Sequence, residues 1–160
     1  MRIGIMGDTH GDIHSIRQAV AAVGPVEIWL HTGDFCRDAL SLASFAGVPV
    51  TSVSGNCDGR TAVKLDEFIE AAGYRIWLTH GHRHGVKQSL DELRNLARQY
   101  EADIVVYGHT HQADLVEEPG MMLVNPGSAA IPKRGKNRTC GVLELKPGRN
   151  GAAFHLLSLP

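Results

Sequence analysis

The sequence predicts a layered α/β domain whose core lies between two β-sheets. Along the first part of the chain, short apolar β-like runs alternate with segments of helical spacing, and later strand-like runs follow one another in pairs. Several β-like runs are apolar throughout, as expected for strands covered on both faces. This order of elements favours a sheet-on-sheet core. The length of 160 residues fits one domain, residues 1–160.

Three segments repeat apolar residues at the spacing of an amphipathic helix. They are Asp12–Val23, Asp38–Ala46 and Gln88–Tyr100. The first helix should be capped by Asp12 and should bury a face that includes Ile13 and Ile16.

The remaining periodic segments are predicted as strands. Five of them lead into polar loops: Arg2–Gly7, Glu27–Thr32, Pro49–Val53, Arg75–Thr79 and Asp103–Tyr107. Phe68–Ala72 should pair with the fourth of these strands in a hairpin across Gly73. The tail is mainly β, with strands at Ala113–Glu117, Met121–Asn125, Thr139–Leu145 and Ala152–Leu157. A Pro-Gly-Arg-Asn-Gly turn joins the last two.

The composition argues against some classes of protein. Sixteen basic and 17 acidic residues give a formal net charge of -1, whereas a protein that coats nucleic acid usually has a basic excess. No segment approaches the ~20 apolar residues of a membrane span. The three cysteines are widely spaced and form no paired motif, which favours reduced thiols in the cytoplasm. The sequence is compatible with a homo-oligomer.

Each of the five strands that lead into loops ends in a small polar cluster. The clusters are Asp8-Thr9-His10, Gly33-Asp34, Gly55-Asn56-Cys57-Asp58, Thr79-His80-Gly81-His82 and Gly108-His109-Thr110-His111. Any one of them has an ordinary explanation as a turn or a helix cap. Because ligands gather at the carboxyl ends of strands in α/β sheets, we expect the five clusters to meet.

The combined side chains have the chemistry of a metal site. Carboxylate and amide oxygens mixed with imidazole nitrogens suit Mn, Fe, Ni or Zn, whereas calcium prefers all-oxygen cages. The ligands are too many for one tetrahedral ion and fit two ions bridged by a carboxylate. Glycine before Asp34, Asn56 and His109 would let the backbone approach the ions closely.

The motif series Asp8-x-His10, Gly33-Asp34, Gly55-Asn56, His80 and Gly108-His109-x-His111 resembles that of the calcineurin-like metallophosphoesterase superfamily. The short chain and the Gly-Asn-Cys-Asp sequence resemble its small prokaryotic phosphodiesterase branch. The resemblance runs from Met1 to about Ser128 and more loosely to the end. It implies a four-layer αββα sandwich with two central mixed β-sheets flanked by helices.

The resemblance also implies a function and a set of ligands. One metal would be held by Asp8, His10, Asp34 and His111, and the other by Asp34, Asn56, His80 and His109. The two divalent ions would be Mn in the first instance, with Ni, Fe or Zn as alternatives. The chain would then be a metal-dependent phosphodiesterase acting on a small phosphodiester, in which a metal-bridging hydroxide attacks phosphorus in line.

The resemblance leaves two candidates for the residue that protonates the leaving group. Many members of the superfamily carry a His directly after the Asn, where it is thought to act as general acid, but this chain has Cys57 there. His82 is the alternative donor, because it would lie two residues beyond His80 on the same extended face.

Several neighbouring residues are expected to have supporting or solvent-exposed roles. Asp58 should orient the Asn56 loop, His31 should pack or fix a neighbour, and Arg83 should meet phosphate or solvent. Pro126-Gly127-Ser128 is expected to return the chain toward the site. The segment from Lys133 to Arg138 is a basic loop that is usually solvated.

Two alternatives to a phosphodiesterase are compatible with the sequence. The same site would also suit a phosphomonoesterase or a nuclease. The superfamily further includes a retromer subunit that resembles this branch and uses the fold as a protein-binding scaffold. Its altered site contrasts with this chain, in which every expected ligand position holds a competent residue.

Overall fold

The computed structural model covers residues 1–160 and contains ten β-strands and three α-helices. The strands are β1 (Arg2–Met6), β2 (Ile28–His31), β3 (Val50–Ser52), β4 (Asp66–Ala71), β5 (Tyr74–Thr79), β6 (Ile104–Val106), β7 (Ala113–Glu118), β8 (Met121–Pro126), β9 (Thr139–Leu145) and β10 (Ala152–Ser158). The helices are α1 (Ile13–Val23), α2 (Asp38–Ala46) and α3 (Asp91–Gln99). Short 3-10 turns lie at His82–His84 and Pro147–Arg149.

The strands form two five-stranded sheets. The first has the order β10-β9-β1-β2-β3 and the second the order β4-β5-β6-β8-β7. Both sheets are mixed, because β1, β2 and β3 are parallel neighbours, as are β5, β6 and β8, whereas the remaining pairs are antiparallel. The predicted hairpin is β4–β5, and its turn residues Ala72 and Gly73 both have positive φ, as a tight two-residue hairpin requires.

Apolar side chains divide the molecule into four layers. Fourteen buried residues fill the space between the sheets, among them Ile5 and Leu30 from the first sheet and Leu78 and Val106 from the second. A second cluster packs α1 and α2 on the outer face of the first sheet, and a third packs α3 on the outer face of the second. The predicted αββα sandwich with two central mixed sheets is confirmed.

Two details of the helices differ from the prediction. In α1 the Asp12 carboxylate caps the Ser15 N–H as expected, but Ile13 is 40% exposed and lies outside the buried face. The helix predicted from Gln88 begins only at Asp91, because the Gln88 and Ser89 N–H groups both bond to Gly85 O and close a turn. No helix is both long and apolar enough to cross a membrane.

The sheet topology explains why the polar clusters meet. β1, β2 and β3 run parallel, so their carboxyl ends lie on one edge of the first sheet. β5 and β6 are likewise parallel in the second sheet. The Gly108 N–H bonds to His80 O at 3.1 Å and the Asp8 N–H to Gly33 O at 3.1 Å, so loops within each sheet are joined directly.

Candidate metal centre

Asp34 occupies the middle of the polar cluster. Its Oδ1 lies 3.5 Å from His80 Nε2, and its Oδ2 lies 3.8 Å from His10 Nε2. The side chain is almost fully buried. One carboxylate therefore faces two separate sets of histidines.

The first set consists of Asp8, His10, Asp34 and His111, whose ligand atoms all lie within 4.8 Å of one another. His111 Nε2 is 3.2 Å from Asp8 Oδ1 and 3.4 Å from His10 Nε2. Two imidazole nitrogens and two carboxylate oxygens directed at one point can hold a divalent ion.

The second set consists of Asp34, His80 and His109, again within 4.8 Å of one another. Asn56 adds an amide oxygen, because its Oδ1 lies 3.2 Å from His80 Nε2. The rings of His80 and His109 are 5.0 Å apart between centroids. The structure thus brings together all seven residues singled out in the sequence, in two groups that share Asp34.

Backbone carbonyls fix the tautomers of two histidines. His80 Nδ1 lies 2.8 Å from Thr32 O, and His111 Nδ1 lies 2.6 Å from Ile131 O. In each case Nδ1 carries the proton that it donates, so in the neutral form of the ring Nε2 is the nitrogen with the lone pair that a metal would need. A hydrogen bond from the second ring nitrogen is the usual way of orienting a metal-binding histidine.

Unusual backbone conformations accompany this convergence. Five residues of the cluster have positive φ: Asp8, His10, Asp34, His109 and His111. Such conformations are sparsely populated by non-glycine residues and concentrate at functional sites. Gly55 is required for packing, since a Cβ there would lie 2.2 Å from Asp34 Oδ1.

The His109-Thr110-His111 segment supplies one ring to each ligand group, as the family resemblance implies. A fully extended segment would place both rings on one face. Positive φ at His109 (68°) and His111 (55°) bends the backbone instead, and the rings join different groups.

A buried chain of hydrogen bonds supports the loops that carry Asp8 and Asp34. Thr9 Oγ1 lies 3.0 Å from His31 Nε2 and donates to Asp38 Oδ2 at 2.7 Å. His31 Nδ1 accepts from the Gly33 N–H at 3.2 Å, and Asp38 Oδ2 accepts from the Gly11 N–H at 2.8 Å. The supporting roles of Thr9 and Asp38 could not be found from the sequence, because only the fold brings α2 to the β1 loop.

Two further contacts agree with the sequence-based expectations. The Asp58 carboxylate accepts from the Gly55 and Cys36 N–H groups, both at 2.7 Å, and so orients the Asn56 loop. Ser128 Oγ donates to Asp8 O at 2.7 Å, which confirms that the chain after β8 returns to the site.

Burial and neighbouring charges shift the pKa values of several residues in the cluster. Burial, followed by the His80 charge, lowers the pKa of His109 to about 4. Burial raises the pKa of Asp34, but His80, the Cys57 N–H and His10 outweigh it and leave the pKa lowered. A hydrogen bond to Asp8 raises the pKa of His111. Near neutral pH, His109 is therefore neutral and Asp34 ionised, as ligands must be.

The two candidate proton donors flank the second group. The Cys57 N–H donates to Asp34 Oδ1 at 2.9 Å, and its exposed thiol lies 3.4 Å from the Asn56 amide nitrogen. Burial, followed by Asp34, raises the pKa of this thiol, so it stays protonated. The His82 ring centroid is 5.3 Å from that of His80 and 6.1 Å from that of His109.

The prediction that His80 and His82 share one face of an extended segment is wrong. The segment after His80 is not extended, because Gly81 has a φ of 93° and His82–His84 form a 3-10 turn. This turn still places the His82 ring beside the cluster. Its neighbour Arg83 is exposed to solvent, which is one of its two expected environments, and it also pairs with Asp66.

Two grooves border the cluster. One has a volume of about 570 Å³ and is lined in part by His109, His111, Lys87 and Lys133. The other, of about 330 Å³, is lined by a separate set of residues that includes Phe35, Arg37 and Cys57. The first groove includes a ligand from each group, whereas the second reaches the cluster only through Cys57 and Asp58, beside Asn56.

Known proteins resemble the chain along most of its length. The family described as "Calcineurin-like phosphoesterase superfamily domain" matches residues 1–148. "Probable metallophosphoesterase YsnB" of Bacillus subtilis is 31% identical over 149 residues, covering 91% of this chain and 85% of the relative. A phosphodiesterase of Methanocaldococcus jannaschii is 32% identical over 145 residues, covering 79% of this chain and 83% of the relative.

The fold is also similar to solved structures. Vps29 of Entamoeba histolytica, in its complex with Zn²⁺, gives a TM-score of 0.77 at 22% identity and covers 99% of each chain. At this level of identity the likeness shows the fold alone.

Proposed function

The chain belongs to the calcineurin-like phosphoesterase superfamily, and we propose that it is a phosphodiesterase that uses two divalent metal ions. The observation that carries the proposal is the position of Asp34, whose two oxygens face different histidine groups. A carboxylate in this position is suited to bridging two ions.

The residues present fit a pair of intermediate divalent ions. Asp8, His10, Asp34 and His111 would hold one, and Asp34, Asn56, His80 and His109 the other. Mn is the first metal to test, with Ni, Fe and Zn as alternatives, because the donors mix nitrogen and oxygen. When bound, the pair would lower the pKa of a water between them and supply hydroxide for in-line attack on phosphorus.

The side chains of the cluster have positioning and proton-transfer roles in this proposal. The carbonyl contacts of His80 and His111 keep their Nε2 lone pairs directed inward. No side-chain nucleophile is required. Proton donation to the leaving group is assigned to His82 first and to Cys57 second, since both lie beside the Asn56 and His109 group.

A diester is favoured over a monoester for two reasons. One groove lies beside His109 and His111 and another beside Cys57, which would give room for two organic substituents on a phosphorus held between them. In addition, the position after Asn56 holds a thiol, which hydrogen-bonds weakly and is a poor proton donor for an alkoxide leaving group.

The alternatives are less well supported. The formal net charge of -1 does not favour a nuclease for long nucleic acids. A pure scaffold would have no need for seven converging ligands, two of which are histidines oriented by backbone carbonyls. Location in the cytoplasm stays a prediction from the cysteines, none of which is paired.

The test is hydrolysis of aryl phosphodiesters and phosphomonoesters by metal-stripped protein refilled with Mn, Ni, Zn or Mg. We expect activity to return with an intermediate metal and to be greater on bis(p-nitrophenyl) phosphate than on alkyl monoesters. Faster turnover of alkyl monoesters with every metal would overturn the diesterase assignment. Metal binding without any hydrolysis would favour the scaffold.

A further inference from the structure

The groove beside His109 and His111 carries two cations that the chain itself does not neutralise. Lys87 and Lys133 are both exposed, and neither is in an ion pair. The one acidic residue of the lining, Asp114, accepts a hydrogen bond from the Tyr107 hydroxyl at 2.9 Å. The groove therefore has an excess of positive charge.

A groove at the opposite end of the sheets shows how the chain treats other cations. It is larger, about 790 Å³, and lies at the amino ends of β5 and β6. Each of its three arginines is in an ion pair: Arg75 with Glu70, Arg98 with Glu118 and Arg149 with Asp103. Unlike the arginines of the larger groove, the lysines near the metal centre have no carboxylate in an ion pair with them.

The groove with the two lysines adjoins the candidate metal centre. His109 comes from one ligand group and His111 from the other, so the groove borders both groups. The Lys133 N–H donates to His111 O at 2.9 Å, which fixes where its side chain begins. Val86 and Leu90 give the groove an apolar wall suited to an organic group.

From these observations we propose that Lys87 and Lys133 bind a second phosphate on the substrate. The preferred substrate would then be a phosphodiester with a further phosphate group on one of its two organic substituents. This inference rests on the proposed phosphodiesterase function and specifies its substrate class.

The expected effect is moderate. Exposed ion pairs typically contribute about 0.2–1 kcal/mol, which corresponds to about 1.4- to 5-fold each. Two such contacts, taken as independent, give a preference of about 2- to 25-fold. Because they involve a part of the substrate remote from the reacting bond, most of the preference should be in KM.

The experiment compares two chromogenic esters with the Mn-loaded full chain. One is thymidine 5′-(p-nitrophenyl phosphate), and the other is the same compound with a 3′-phosphate. We expect the 3′-phosphorylated ester to have the higher kcat/KM. The Lys87→Gln/Lys133→Gln double variant should reduce the ratio to about one, whereas Lys136→Gln, in the same basic loop but outside the groove lining, should preserve it.

A binding measurement separates failure of this inference from failure of the proposed function. Calorimetry compares thymidine 3′,5′-bisphosphate with thymidine 5′-phosphate for the wild type and the double variant. Suppose that neither ester is hydrolysed, but that the wild type binds the bisphosphate more tightly than the monophosphate and the double variant does not. This result would support the phosphate site and overturn the diesterase function. Equal hydrolysis of both esters, or a preference that survives in the double variant, would overturn the phosphate site while the diesterase function stands.

Discussion

Ser128 donates a 2.7 Å hydrogen bond to the backbone carbonyl of Asp8, across 120 residues of sequence. The same hydroxyl accepts from the Ile131 N–H at 2.7 Å, and Ile131 O in turn accepts from His111. One buried hydroxyl therefore links two residues of the first ligand group.

Replacement of Ser128 tests this link. Ser128→Ala leaves the Asp8 carbonyl and the N–H groups of Ala130 and Ile131 without this partner, so we expect a loss of about 1–3 kcal/mol in the free energy of unfolding. The affinity for the metal of the first ligand group should also fall, by about 10-fold or more, while that of the second group should change little. Chemical denaturation and metal titration measure the two effects, with the exposed Ser158→Ala as control. An unchanged metal affinity would show that the hydroxyl only stabilises the fold.

Removal of the bridging charge tests the dinuclear centre. Asp34→Asn keeps an oxygen for the Cys57 N–H but removes the carboxylate that faces both groups. Changes behind a metal ligand already cost about 10–100-fold, so we expect kcat/KM to fall by more than about 100-fold with the fold intact. Elemental analysis should give two Mn per wild-type chain and fewer in the variant, with the exposed Asp91→Asn as control. One Mn or fewer per wild-type chain at saturation would rule out the dinuclear centre.

A leaving-group series tests the proton donor. General acid catalysis typically contributes about 10²–10⁴-fold, or about 3–5 kcal/mol of barrier. We expect Cys57→Ala to be mild and the loss in His82→Ala to grow with the pKa of the leaving group. Cys57→His should gain monoesterase activity if the imidazole reaches the leaving oxygen. An equal loss in His82→Ala for good and poor leaving groups would make His82 a positioning residue.

The buried imidazole of His31 predicts a pH dependence of stability. Burial lowers its pKa from 6.5 to about 4, so the unfolded chain binds a proton in this range and the folded chain does not. The contribution of His31 to the free energy of unfolding is therefore fully present above pH 6.5. It is lost as the pH falls toward 4, by about 3 kcal/mol in total.

The measurement for His31 is urea unfolding of chelator-treated protein from pH 4 to 7. His31→Gln should be less stable overall but should have a flatter pH dependence than the wild type. Thr9→Val removes the neighbouring hydroxyl while keeping the imidazole, and should retain most of the slope. A His31→Gln slope equal to that of the wild type would assign the acid sensitivity to other groups.

The sequence was sufficient for features set by local pattern. The bounds of α2 and β9 were predicted without error, and so was the meeting of the five polar clusters. Both follow from features that can be recognised in the sequence: the apolar periodicity and the polar residues that end each strand. The division of His109 and His111 between two groups came only from the family resemblance and not from the local pattern, since it depends on positive φ in non-glycine residues. The contacts of Thr9 with Asp38 and of Ser128 with Asp8 join segments far apart in the chain, which no local pattern specifies.

Each ligand group draws on both sheets. The loops after β1 and β2 supply Asp8, His10 and Asp34, whereas the loops after β5 and β6 supply the remaining histidines. If the chain were divided between β3 and β4, neither fragment would contain a complete set for even one ion. Separately produced fragments should bind a metal in the native arrangement only after they reassociate, so native metal uptake would report their complementation.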